Sequence, residues 1–110
     1  MDKAHNLMLT YEFMKYLDDN SIETLDNFLP ILEKHCEISN DLSMRMLHTK
    51  FKTIVDMKRE KNGGQEFVNL IHEFSNSIMS IESEEDVFGL ISMINHTAPA
   101  PEPEPTSEKE

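Results

Sequence analysis

Two short stretches hold the residue types from which chemistry is built. The first is EKHCE, residues 33–37, which sets Glu33, His35, Cys36 and Glu37 almost side by side. A cysteine next to a histidine suggests an activated thiolate, and flanking carboxylates suggest proton transfer or metal ligation. Helical spacing works against both readings. Successive side chains on a helix point about 100° apart, so Glu33 and Glu37 share a side while His35 and Cys36 point elsewhere. Cys36 also continues the apolar row Ile22, Leu25, Phe28 or Leu29, Leu32, which makes it a core side chain. A working Cys–His pair would have to assemble across opposing elements.

The second stretch is SMRMLHTKFKTIVDMKREKNGG, residues 43–64. It gathers six of the ten Lys and Arg residues of a chain whose formal net charge is −11. Cations concentrated on one helix can hold a phosphate backbone or an acidic protein segment. Projected as a helix, the stretch separates into three faces. Met44, Leu47, Phe51, Ile54 and Val55 form a core stripe. Arg45, His48, Lys52 and Arg59 stand beside it as a basic face, with Asp41 and Asp56 among them. Leu42, Met46 and Met57 lie on the third side, and Met suits a surface that repacks around different partners. The bland alternative is that the cations compensate acidic neighbours in a bundle and the methionines fill its core. Nucleic acid is the weaker partner, because two aspartates interrupt the stripe and no aromatic residue is interleaved to stack on bases.

Other chemistry is not signalled. His5, His35, His48, His72 and His96 make no Glu-x-x-His, His-x-x-x-His or Cys-x-x-Cys spacing, so neither a di-iron nor a zinc site is expected. The NGG at 62–64 is too short to cradle a phosphate. The many carboxylates read as solvated helix faces. The expectation is no catalytic site, no metal and no cofactor.

The elements that carry these residues follow from apolar spacing and stop signals: helices over 3–18, 21–37, 40–61, 65–82 and 84–96, without a sheet. The fold class is all-α, a compact bundle of about five helices. Residues 1–96 form the helical domain, and 97–110, with Pro at 99, 101, 103 and 105, an acidic disordered tail. Asn20 is the expected cap of the second helix, and Pro30 should kink or break it near Asn27–Leu29. Ser83, followed by EED, should cap the fifth. Glycine after the lysine-rich end of the third should stop it.

The helix over 3–18 poses the sharpest question. Leu7, Tyr11 and Met14 share one side, and Leu9, Phe13, Tyr16 and Leu17 fill the next, so apolar residues cover well over half the circumference. One neighbouring helix cannot bury that much. Either this helix runs through the middle of the bundle, or Leu9, Phe13 and Tyr16 belong to a partner surface, most simply that of a homodimer.

Charge is segmented along the chain. Residues 1–38 set Lys3, Lys15 and Lys34 against eight acids; residues 39–64 set six bases against three acids; residues 65–110 set Lys109 against ten acids. The expected function is therefore a non-enzymatic protein–protein interaction module, a small adaptor, inhibitor or assembly factor. Its partner is another protein or a second copy. The alternatives are a nucleic-acid-associated regulator using the helix over 40–61, and an acidic DNA mimic, against which the positive middle segment argues. One cysteine, no secretory leader and no apolar run of about 20 residues point to the cytoplasm and away from membrane.

Overall fold

The computed structural model describes residues 3–97, and the expected tail lies, from residue 98 on, outside the described residues. Five helices follow one another: α1 Ala4–Asp19, α2 Ile22–Glu37, α3 Leu42–Arg59, α4 Gln65–Met79 and α5 Glu84–Thr97. There is no strand among the described residues.

Helix ends are set by local hydrogen bonding, which differs in detail from the sequence expectation. Ser21, not Asn20, caps α2: its Oγ accepts from the Thr24 amide at 3.2 Å, while Asn20 Nδ2 donates back to the Tyr16 carbonyl at 2.8 Å. A hydroxyl one position later reaches the first-turn amides, and the Asn amide is left to close the preceding helix. Of the kink or break expected at Pro30, the break does not occur: α2 runs unbroken through it. Pro30 is exposed, so its ring projects to solvent and water can hydrate the Asp26 carbonyl that lost its amide donor.

At the other end of α3 the stop falls before the glycines. Lys61 takes a left-handed φ of 61°, the Asn62 amide donates to the Met57 carbonyl at 2.9 Å, and the Lys61 amide to the Lys58 carbonyl at 3.1 Å. That is a Schellman closure with lysine in the position glycine usually fills. Ser83 does cap α5, accepting from the Asp86 amide at 3.2 Å.

α3 packs against α2 and α4, and α1 against α4 and α5. One phenylalanine from each of the first four helices enters a shared cluster. Phe51 of α3 sits 5.6 Å from Phe13, 5.7 Å from Phe28 and 5.7 Å from Phe74 between ring centroids. Phe13 and Phe74 meet edge to face at 5.1 Å, a preferred aromatic geometry. Val87, Leu90 and Ile94 of α5 complete the buried core.

Polar side chains lock the helix connections. The buried Asn6 donates to the carbonyls of Ile78 and Ile81 at 2.8 and 3.0 Å, closing the end of α4. Asp41 does two things at once: one oxygen caps α3 through the Ser43 amide at 3.0 Å, and the other accepts the Glu82 amide at 2.9 Å. Ser39 Oγ donates to Asp86 at 2.6 Å. The α2–α3 turn is thereby tied to the start of α5.

Candidate functional site

The EKHCE stretch is dispersed by the helix that carries it. Cys36 is buried, and burial, with a smaller contribution from the Asp86 carboxylate, pushes its thiol up to about 12. A thiol held protonated is a poor nucleophile. His35 turns toward α5, where Gly89 leaves room for its ring: a Cβ there would lie 2.8 Å from His35 Cε1. Glu33 and Glu37 are exposed. Among the described residues, no group of three His, Cys, Asp or Glu side chains could hold a metal ion.

The basic helix divides between internal ties and open surface. Arg59 forms a bidentate pair with Asp26 of α2, both bonds 2.7 Å, and approaches Asp56 at 3.5 Å. Hydrogen bonding from that guanidinium holds the Asp26 carboxyl below the usual carboxylate range. Lys50 reaches Glu73 of α4 at 2.7 Å, and Lys58 donates to the Leu17 carbonyl in the last turn of α1. A cation at a helix C-terminus meets the negative end of the helix dipole. So α3 uses three of its cations to hold α1, α2 and α4.

Arg45, His48 and Lys52 make no ion pair with the described residues; Arg45 and Lys52 are exposed and His48 half-buried. Met57 is half-buried. Met46 is largely exposed and lines a cleft of about 330 Å³ between α3 and α4, floored by the Lys50–Glu73 pair. The structure thus keeps Arg45, Lys52 and Met46 at the surface, where Arg59, also exposed, is paired with Asp26 of the same chain.

α1 requires a correction. Leu9 and Phe13 are 0% exposed and Tyr16 is buried, so these three, expected on a partner surface, belong to the chain's own core. They point inward because Phe51 and Phe74 receive Phe13, and Phe28 receives Tyr16 at 4.8 Å. Nor is α1 wrapped on all sides. Leu7 is 64%, Tyr11 65% and Met8 48% exposed. Position 11 lies one turn beyond both 7 and 8 and between them around the helix, so the three share one side. Phe88 of α5, also largely exposed, extends the patch: its ring lies 4.6 Å from that of His5, one turn before Met8. The sequence pairing of Leu7 with Tyr11 carried this signal; two equally apolar sides left open which would turn inward.

Leu42 and Val68 are also exposed. Ile31 and Ile38 border a groove of about 520 Å³ between α2 and α5, with Lys34 and His35 set between them.

No protein-family model, curated protein or solved structure matches this chain. Among the described residues the fold and the surface define a class only: a five-helix bundle with a braced basic helix and a bare apolar face on α1. Among the described residues, no helix is long and apolar enough to cross a membrane.

Proposed function

We propose that this chain is a non-enzymatic interaction module that docks another protein on the outer side of α1, through Leu7, Met8 and Tyr11 of α1 with Phe88 of α5. One observation carries the reading: contiguous large apolar side chains stay exposed on a helix whose opposite side is fully buried. Isolated exposed apolar residues are ordinary; a contiguous patch on a small acidic domain marks contact with something else. The nucleic-acid alternative has less support, since Lys50, Lys58 and Arg59 are engaged within the chain. A cytoplasmic setting belongs to the same proposal and rests on the free, buried Cys36, which needs no oxidising compartment.

The test places a photo-crosslinking amino acid at Tyr11 or, as control, at Lys52, in the cells that make the protein. A discrete adduct from position 11 that Leu7→Glu removes is the expected result. If position 11 gives no such adduct, the docking surface is not on α1.

A further inference from the structure

We infer that the partner seated on α1 is a basic amphipathic helix, with apolar anchors one turn apart and Lys or Arg at both ends of its apolar stripe. This rests on the proposed α1 docking surface and adds the chemistry of its occupant.

The first argument is the shape of the surface. Among the described residues there is no strand, so no sheet edge offers backbone hydrogen bonds to an extended peptide. Recognition has to run through side chains. Leu7, Met8 and Tyr11 form a ridge, with Phe88 standing across from it on α5. A ridge bordered by a neighbouring helix accepts another helix presenting residues at i, i+3 or i+4 and i+7.

Charge is the second argument. Acids flank the ridge, beside its start and farther along α1 past its end. At its start, Glu84 lies 3.5 Å from His5, the same histidine whose ring packs on Phe88, and the exposed Glu85 follows. Two turns past Tyr11, beyond Lys15, Asp18 and Asp19 are exposed in the last turn of α1. Leu7 and Asp18 are separated by about 16 Å along the helix axis. Between these acids α1 carries the half-buried Glu12 and a single exposed cation, Lys15. Lys3 is turned toward the Ile81 carbonyl, 3.1 Å away.

The same acids argue against a second copy. In a parallel pairing of two α1 ridges, Glu84 and Glu85 would face their own counterparts. In an antiparallel pairing they would face Asp18 and Asp19. Either orientation opposes like charges on a chain that already carries −11. A basic helix meets opposite charge at both ends in either orientation.

The test uses two synthetic 18-residue helical peptides with the same leucine stripe, one flanked by lysines and the other by glutamates. Binding to the full chain is measured by calorimetry, and the site is mapped by amide chemical shifts. The lysine peptide should bind, with shifts confined to α1 and α5, and the glutamate peptide should bind at least about tenfold more weakly, as two or three rim pairs would give. Glu84→Lys with Glu85→Lys should weaken the lysine peptide by a similar factor and lessen its salt dependence. Leu7→Glu and the milder Tyr11→Ser, each checked for native circular dichroism, should abolish binding. Equal affinity for the two peptides, indifference to the Glu84 and Glu85 changes, or shifts centred on α2, α3 or α4 would overturn the inference. So would light scattering that shows a dimer dissociated by Tyr11→Ser. If neither peptide binds while a crosslink forms at position 11, the docking surface stands and the inference of a basic amphipathic helix as its occupant is overturned. If the crosslink fails as well, the docking reading falls with it.

Discussion

α1 and α3 each carry more than a core-facing stripe needs, and the chain treats the two surpluses in opposite ways. The surplus on α3 is positive charge, and much of it is taken up inside the molecule, by Asp26, Glu73 and the carbonyl of Leu17. The surplus on α1 is apolar, and Leu7, Met8 and Tyr11 are left in water. Ionic surplus can be satisfied at a bundle's surface, where acidic neighbours lie one side chain away. Apolar surplus needs area, and no other helix covers that side. The basic helix braces the fold; the apolar ridge stays at the surface, and on the proposed reading it is where a partner docks.

The largest expected effect tests the inner halves of both helices. Phe13→Ala and Phe51→Ala should each cost about 3–5 kcal/mol in urea unfolding, because both open a cavity in the shared aromatic cluster. A loss below about 1 kcal/mol for Phe13 would mean that α1 is not anchored where its burial places it.

Next come the polar ties. Asp41→Ala removes a helix cap and an acceptor for the Glu82 amide together, and should cost about 1–2 kcal/mol. Lys58→Met, which keeps the aliphatic stem but removes the cation from the end of α1, should cost about 1 kcal/mol. If Lys58→Met is neutral, α3 does not brace α1 and the contrast between the two helices weakens.

Lys61→Gly should act in the opposite direction and stabilise by about 0.5–1 kcal/mol, since glycine takes a left-handed φ without strain and lysine does not. The gain should appear as a higher urea midpoint with an unchanged slope.

On the outer side of α1, Tyr11→Ala should change stability by no more than about 0.5 kcal/mol, although its neighbour two positions on is among the most costly sites. A larger loss would turn the ridge into part of the core and remove the reason for a partner.

The smallest effect is acid-dependent. Arg59 holds the Asp26 carboxyl below its ordinary range, so the pair contributes only while that carboxyl is ionised. Its contribution is present above the ordinary carboxylate range and is lost as pH falls through the lowered folded value. The stability difference between the parent and Arg59→Gln should shrink as the solution is acidified, and should be smaller in high salt because the pair is exposed.

Residue order along this chain was enough to determine that it is helical, in five pieces, and roughly where each begins. Apolar residues recur with helical period, and Ser83 and the acids after it announce a helix start, because caps and amphipathic stripes are local properties. The core face of α3 and the burial of Cys36 were legible for the same reason. Three matters became legible only in the structure. Pro30 does not break α2, because its ring faces solvent. Lys61 ends α3 ahead of the glycines through hydrogen bonds that stay within residues 57–62, a local closure that composition alone did not reveal. Leu9, Phe13 and Tyr16 turn inward while Leu7, Met8 and Tyr11 do not. Periodicity fixes which residues share a side, but both sides of α1 are apolar, and only the positions of Phe28, Phe51 and Phe74 on other helices choose between them.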